Sequence, residues 1–273
     1  MKVNEWVERG ERAEAELYHQ LLSKAPGNCP LGVSTARMAG GVVTSVRQDV
    51  SGYWSNALAF GLDEPITGPL FDQIIDFYTA QRNPSARILI PPAVSPAEWA
   101  AIRDRHALRA CQARFQHICD IKDVRCVGST DLRVGAAPDV EQWTRFTMRV
   151  LGMSDGEIAD MLIPGYGSNE FQLFSAWDED RMVAGAALFV WQDVAVLNSG
   201  ATLATHRNRG AQSALIAARV AAARTAGCRW VVTQTADPGS DGYAPSLNNM
   251  IRVGLVPLYA RPVWNWGTPE AVL

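Results

Sequence analysis

Two arginines and a glycine stand close together in the run Arg207-Asn208-Arg209-Gly210. The run precedes an Ala-rich, helix-forming stretch that starts near Ala211. A turn at a helix N-terminus directs unpaired backbone N–H groups and the positive end of the helix dipole at one spot. The guanidinium groups add positive charge to that spot, and Gly210 allows a ligand to approach the backbone closely. These residues therefore predict an anion site, above all for phosphate groups.

The elements around this turn predict a βαβ unit. An apolar run at 194–197 favours a buried strand, Gly227 favours the end of the helix, and 229–233 favours a second strand. A βαβ turn with basic residues and a glycine can also be purely structural, and that alternative stays open. No Lys-Ser/Thr pair follows the glycine and no G-x-G-x-x-G occurs, which argues against nucleoside triphosphate and dinucleotide binding.

The six residues from Arg207 to Gln212 resemble the acyl-CoA pyrophosphate loop of the GNAT superfamily of N-acetyltransferases, written Q/R-x-x-G-x-G/A. Gln212 departs from the pattern, and its side chain is expected to point away from a pyrophosphate. The stretch from Ser246 to Leu255 resembles a later family helix, in which an Asn opens a helix that ends in Gly-Phe. Together the two motifs and their surroundings cover roughly residues 131–266.

The resemblance implies acetyl-CoA, or a related acyl-CoA, as co-substrate, and an amine that attacks the thioester directly. A Tyr that protonates the departing thiolate is common in the family. The implied cofactor-binding residues are Gly200, Ala201 and Thr202 beside the pantetheine arm, Arg207, Asn208, Arg209, Gly210, Ala211, Gln212 and Ser213 around the pyrophosphate, and Asn248. For Asn248, the role of a helix cap is an equal alternative.

The usual family position of the catalytic Tyr is occupied by Met250, so Tyr259 is the nearest substitute for a catalytic acid. Strand alternation predicts that Leu258 and Ala260 share the core face and that Tyr259 points the opposite way. A half-buried structural tyrosine is the alternative. Glu170 and Asp193 are candidates for a general base, with solvated turn carboxylates as the alternative.

The N-terminal half of the chain repeats the C-terminal half. Residues 105–114 align with 252–261, and the strand at 87–90 aligns with that at 229–232. Where the second half has its basic loop, the first has Asp63-Glu64-Pro65, whose carboxylates would repel a pyrophosphate. The predicted fold is α/β (α+β), with two tandem GNAT-like domains, each a mixed, mostly antiparallel sheet flanked by helices. We predict a degenerate domain at 1–128, an acyl-CoA domain at 129–273 and a linker at 127–130.

Composition narrows the class of function. A net charge of −3 over 273 residues gives no basic field for nucleic acid. No apolar run approaches the ~20 residues of a membrane span. Five cysteines without a C-x-x-C pair, and histidines without ligand spacing, favour a cytoplasmic protein with no metal.

The leading functional prediction is transfer of an acyl group to the primary amine of a small molecule, by a monomer or homodimer. Two alternatives remain: a non-catalytic acyl-CoA-binding regulatory module, and an assembly protein whose tandem domains pack with partners.

Overall fold

The computed structural model describes residues 4–126, 129–239, 242 and 244–268. The helices are α1 Glu5–Leu22, α2 Gly68–Ala80, α3 Trp99–Arg105, α4 Val140–Val150, α5 Glu157–Tyr166, α6 Ala211–Thr225 and α7 Pro245–Arg252. The strands are β1 Val33–Met38, β2 Gly41–Val46, β3 Asn56–Leu58, β4 Ser85–Leu89, β5 Arg109–Asp120, β6 Arg133–Ala136, β7 Phe171–Asp178, β8 Arg181–Trp191, β9 Val194–Thr202, β10 Trp230–Ala236 and β11 Pro257–Gly267. Across these described ranges, no helix has both the length and the apolar character to cross a membrane.

The order of elements repeats along the chain. β1-β2-β3-α2-β4-α3-β5 is followed by β7-β8-β9-α6-β10-α7-β11. Pairing repeats as well, because β1–β2, β2–β3, β7–β8 and β8–β9 are antiparallel, whereas β3–β4 and β9–β10 are parallel. The predicted fold class, α/β with a mixed and mostly antiparallel sheet, is thus confirmed. The predicted βαβ unit is confirmed as well, because β9 and β10 pair in parallel.

Two details of the first repeat differ from the sequence prediction. The sequence predicts a strand over 53–62, but the strand found there is confined to Asn56–Leu58. It also predicts a strand over 114–121, and β5 begins earlier, at Arg109. Asp49 explains the first difference, because its carboxylate accepts the backbone N–H groups of Tyr53 and Trp54 and holds that segment in a turn.

The chain forms two compact units, which divide it differently from the predicted cut after residue 128. Unit 1 contains residues 1–115 and 260–273, and unit 2 contains residues 116–259. The final strand of each repeat explains the division. The last part of β5 lies in unit 2, while β11 pairs with β4 in unit 1 through Val263–Leu89. Residues 127 and 128 of the predicted linker lie outside the described residues.

Unit 2 has strand order β5-β10-β9-β8-β7-β6. Its core joins α6 to the sheet through Leu215, Ile216 and Val220, which pack with Leu188 and Val231. All five side chains are fully buried, so α6 is held firmly behind β9 and β10. This packing fixes the start of α6 relative to the ends of these strands.

Unit 1 has strand order β1-β2-β3-β4-β11. Ala86 and Ile88 of β4 pack with α2 residues such as Phe71 and Ile74 on one face of the sheet. Side chains of a strand alternate between faces, so Arg87 lies on the opposite face. Apolar residues at helical spacing over 4–24 predict an amphipathic helix. α1 confirms it with its buried Leu17 and Leu21, yet the helix also buries Glu11, Glu14 and Tyr18.

Candidate functional site

The N-terminus of α6 carries unused backbone donors. Ala214 N–H donates to Gly210 O at 3.0 Å. The N–H groups of Ala211, Gln212 and Ser213 precede that bond, and no side chain in the described part of the chain caps the helix. These donors and the helix dipole provide the anion-binding geometry that the sequence predicts at this loop.

The backbone conformation and a neighbouring carbonyl both require a glycine at position 210. Its φ is +79°, in the left-handed region. A Cβ atom built on it would lie 2.3 Å from Ser129 O. The sequence assigned this glycine to close approach of a ligand, but the structure shows that the close neighbour is a backbone carbonyl. A side chain at position 210 would therefore displace the loop.

The two loop arginines differ in their surroundings. Arg209 Nη1 donates to Asp178 Oδ2 at 2.6 Å, and its Nη2 donates to Asp131. These hydrogen bonds raise the pKa of Arg209 and lower the pKa values of Asp178 and Asp131. Arg207 is exposed and has no partner among the described residues. Arg209 consequently holds the loop in place through Asp178 and Asp131, and Arg207 is the arginine available to bind an anion.

His206 contacts the same carboxylate as Arg209. Its Nε2 lies 3.2 Å from Asp178 Oδ2, and its Nδ1 lies 2.8 Å from Thr205 Oγ1. Sequence reasoning named the basic residues of the loop but missed Asp178, Asp131 and Ser129. No local signal identifies them, because Arg209 is separated by 31 and 78 residues from its two carboxylate partners.

β9 and β10 diverge toward this loop. They pair in parallel from Val194–Trp230 to Val196–Val232, and no further pair follows along their described residues. β9 also has a bulge against β8, because Ala187 faces Asn198 whereas Gly185 faces Ala201. The backbone groups of both strands beyond Val232 are thereby released from pairing with each other, beside the start of α6.

Buried polar side chains hold the bulge. Arg219 is 2% exposed, and its Nη1 donates to Ala187 O at 3.2 Å and Asn198 O at 3.3 Å. Burial lowers the pKa of this guanidinium. Tyr166 Oη and Ser199 Oγ are 2.7 Å apart, and Ser199 has a φ of +49°. The shape of β9 near the loop is thus set by α5 and α6.

The predicted pantetheine residues lie at this end of β9. Gly200 is exposed, Ala201 is buried and Thr202 is half-buried. Gln212 Nε2 donates to Ala201 O at 3.1 Å and Thr202 Oγ1 at 2.8 Å. The Gln212 side chain therefore folds back onto β9, which occupies one of the backbone acceptors that a ligand would use.

The two predicted site residues that follow β10 in the chain, Asn248 and Tyr259, differ in exposure. Asn248 is exposed in α7, whose N-cap is Ala244, so the helix-cap alternative for Asn248 is wrong. Tyr259 is half-buried in β11. The facing argument made for Tyr259 is also wrong, because Leu258 and Ala260 are exposed while Arg261 is buried. β11 places its odd-numbered residues inward, and Tyr259 lies on that side.

The carboxylates offered as general bases lie at the wrong end of the sheet. Asp193 immediately precedes β9, and Glu170 O accepts the N–H of Val190 near the end of β8. Trp191 pairs with Val194, whereas the loop follows Thr202. Eight residues of strand separate Val194 from Thr202, or roughly 26 Å at ~3.3 Å per residue. Neither carboxylate can reach a group bound at the α6 N-terminus.

A buried histidine lies on the neighbouring strand. His117 Nδ1 is 2.9 Å from Leu255 O, so this nitrogen is the donor, and Nε2 accepts from Thr235 Oγ1 at 2.9 Å. Burial lowers the pKa of His117 and keeps the ring neutral. Thr235 belongs to the divergent part of β10. No local pattern predicts this pair, because His117 and Thr235 are 118 residues apart along the chain. The hydrogen bond holds the Thr235 hydroxyl in place.

The corresponding helix of unit 1 lacks these properties. Thr67 Oγ1 accepts from Leu70 N–H at 3.3 Å and caps α2, and Pro69 removes one donor. Asp63 forms an ion pair with Arg12 near the same loop. A capped N-terminus with an acidic side chain nearby is a poor site for pyrophosphate.

No cluster of three or more His, Cys, Asp or Glu residues suited to a metal ion occurs within the described ranges.

The sequence matches no protein-family model, and no curated protein matches it. The fold, however, is that of the GNAT acetyltransferases. The chain is similar to a GCN5-related N-acetyltransferase from Kribbella flavida, with a TM-score of 0.61, 16% identity, and coverage of 94% of this chain and 95% of the other. It is similar to a tandem GNAT protein from the clavulanic acid biosynthesis pathway, with a TM-score of 0.60, 12% identity and 97% coverage of both chains. It is also similar to a GCN5-related N-acetyltransferase from Sphaerobacter thermophilus, with a TM-score of 0.58, 11% identity, and coverage of 97% of this chain and 95% of the other.

Proposed function

We propose that unit 2 binds acetyl-CoA, or a related acyl-CoA, and transfers its acyl group to the primary amine of a small molecule. The observation that carries the proposal lies at the divergent ends of β9 and β10. There the N-terminus of α6 has no side-chain cap and Arg207 has no partner among the residues that the structure describes. The fold shared with solved GCN5-related N-acetyltransferases supports the same proposal.

The geometry matches the two chemical parts of the cofactor. The pyrophosphate would accept from the N–H groups of Ala211, Gln212 and Ser213, with Arg207 adding charge. The pantetheine arm is thin and carries amides, and it would lie along β9 beyond Val196, where the described residues of β9 and β10 no longer pair. Asn198 O and Ala201 O there already accept from Arg219 and Gln212. The thioester would then lie between the divergent strands.

The reaction joins the amine nitrogen to the thioester carbonyl carbon and breaks the carbon–sulfur bond. The amine loses its proton, and the departing thiolate gains one. Positioning of the two reactants supplies much of the rate in such a transfer. Glu170 and Asp193 lie near the end where β9 and β10 are paired, away from their divergent ends. We therefore assign deprotonation of the ammonium to solvent. Tyr259 remains our proposed acid, with a reference pKa of about 10 that keeps it protonated at neutral pH.

Tyr259→Phe is expected to lower turnover by about 10²-fold, the low end for lost acid–base assistance, with CoA affinity little changed. The measurement is free-thiol release from acetyl-CoA with an amine panel, under conditions where chemistry limits the rate. Leu258→Ala is the control, because Leu258 is the exposed neighbour on the same strand. Full turnover in the Phe variant would make Tyr259 a packing residue.

Arg207→Gln is expected to weaken CoA binding about tenfold, or ~1.4 kcal/mol, because a charged hydrogen bond to phosphate is lost. The melting temperature should stay unchanged, since Arg207 is exposed and without a partner among the described residues. Calorimetry with CoA measures the affinity, and one site per chain is expected.

Arg209→Gln is the matched comparison in the same loop. It removes the bonds to Asp178 and Asp131, so it should lower thermal stability as well as affinity. If Arg209→Gln weakens binding with no loss of stability while Arg207→Gln has no effect, the roles assigned to the two arginines are reversed. Absence of any CoA site would overturn the proposed function.

Gln212 favours a second candidate function, that of a non-catalytic acyl-CoA-binding regulatory module. Its side chain occupies Ala201 O, and Met250 stands where the family has its usual Tyr. CoA binding without turnover of any amine would select this alternative.

A further inference from the structure

Unit 1 has an arginine–tyrosine cluster on the sheet face opposite α2. We define this cluster as Tyr18, Tyr53, Arg87 and Arg114. Tyr18 Oη donates to Tyr53 Oη at 3.1 Å. Arg87 lies with its guanidinium carbon 4.4 Å from the Tyr53 ring centroid, and that of Arg114 lies 5.4 Å from the same centroid. Two cations therefore share one aromatic ring.

Arg87 is bound by neutral groups. Its Nε and Nη2 donate to Asn56 Oδ1 at 3.0 and 2.7 Å, and Nη2 also donates to Tyr53 O at 2.6 Å. Its Nη1 donates to none of the residues that the structure describes. Burial lowers the pKa of Arg87, and the neighbouring charge of Arg114 lowers it further. These neutral acceptors do not balance the positive charge of Arg87, so an anion bound beside this buried guanidinium would be stabilised.

Arg114 is half-buried and has neither a hydrogen bond nor an ion pair within the described part of the chain. Such a position is costly for a long cationic side chain, because it loses both hydration and rotamer freedom. The face of the Tyr53 ring offsets part of that cost. The guanidinium thus stands ordered beside Arg87 with its donors unused.

The carboxylates on this face are already committed. Glu14, whose charge acts on Arg87, binds Arg261 through both oxygens at 2.5 and 2.8 Å. Glu11 Oε2 also binds Arg261 at 2.8 Å. Three guanidinium groups therefore face two carboxylates, which leaves an excess of one positive charge.

The two arginine charges also act on Tyr53. Burial raises the pKa of the Tyr53 phenol, but the charges of Arg114 and Arg87 and the hydrogen bond from Tyr18 together bring the pKa below its ordinary value. The Asp49 carboxylate keeps its charge and accepts from the N–H groups of Ser51, Tyr53 and Trp54. The charges that act most on the Tyr53 phenol are those of Arg114, Arg87 and Glu14.

We propose that the arginine–tyrosine cluster binds the carboxylate of a small molecule, as a ligand site of unit 1 separate from the acyl-CoA site. The donors are the Arg114 guanidinium, Arg87 Nη1 and the Tyr53 hydroxyl. One carboxylate matches the single excess positive charge. A phosphate group carries about −1.5 to −2 at neutral pH and would leave the half-buried site negative. The planar guanidinium also suits the two oxygens of a carboxylate.

The test uses the full chain labelled with [¹³Cζ]tyrosine, without acyl-CoA, and titrates sodium benzoate and sodium acetate against sodium chloride and phosphate at constant ionic strength. Tyr53→Phe assigns the resonance. Both carboxylates are expected to shift the Tyr53 signal saturably, at least tenfold more tightly than chloride. Arg114→Gln should weaken benzoate binding at least tenfold, and Arg109→Gln, an exposed residue of the same strand, should bind as wild type.

Three results would overturn the proposal: no saturable shift of Tyr53 in the wild type, phosphate binding tighter than both carboxylates, or unchanged benzoate affinity in Arg114→Gln. If that variant does not fold, the wild-type titrations decide alone. CoA calorimetry on the same samples keeps the two sites separate, because benzoate binding with no CoA site, or the reverse, refutes one proposal without the other.

Discussion

Arg261→Ala is expected to destabilise unit 1 by about 3–5 kcal/mol, the cost of leaving buried charges unpaired. The side chains of Arg261, Glu11 and Glu14 are 0%, 0% and 2% exposed. Removing the arginine takes away the cation that both carboxylates bind, so desolvation and mutual repulsion of the carboxylates both oppose folding. Urea unfolding, together with hydrogen exchange of the α1 amides, measures the loss.

The control for this prediction is Arg149→Ala. Its ion pair with Asp155 is on the surface, with side chains 68% and 43% exposed, so the loss should stay below about 1 kcal/mol. The triple variant Arg261→Met, Glu11→Gln, Glu14→Gln should recover part of the stability, because none of these three buried positions then carries a charge. If both variants lose the same free energy of unfolding, the buried ion pairs of Arg261 contribute no more to stability than the exposed pair of Arg149.

Gly210→Ala is expected to abolish tight CoA binding and to lower the free energy of unfolding by about 1–3 kcal/mol, the cost of a strained backbone position. The added Cβ would meet Ser129 O at 2.3 Å, so the loop must move away from its place at the start of α6. Moving the loop reorients the N–H groups that we assign to the pyrophosphate. Calorimetry with CoA and thermal unfolding measure the two effects.

Gly227→Ala is a matched control at the other end of the same helix. Gly227 has a φ of +77°, close to that of Gly210, but a Cβ atom there meets nothing within 4 Å. It should therefore cost about 1 kcal/mol of stability for the left-handed conformation, with CoA affinity unchanged. Affinity loss in both variants would mean that helix stability, and not the loop position, controls binding.

The sequence by itself determined the local elements. The apolar run of β9, the Ala-rich helix α6 and the stop at Gly227 were sufficient to predict a βαβ unit with a glycine turn at the helix N-terminus. These signals lie within one element or at its ends, where strand alternation, helix propensity and left-handed glycine act directly. The repeated element order was readable for the same reason.

The tertiary structure alone decided which strand completes which unit and which side chain meets which partner. Arg261 meets Glu11 across 250 residues of sequence. Arg209, which looked like a phosphate ligand, is instead bound by Asp178, and Tyr259 faces inward where alternation from Leu258 suggested the reverse. Hydrophobic periodicity reports which face of a strand is apolar, but it carries no information on the distant residue that will lie against a charged side chain. That choice is made by the packing of whole elements, so charge partners and strand exchange appear only in the folded chain.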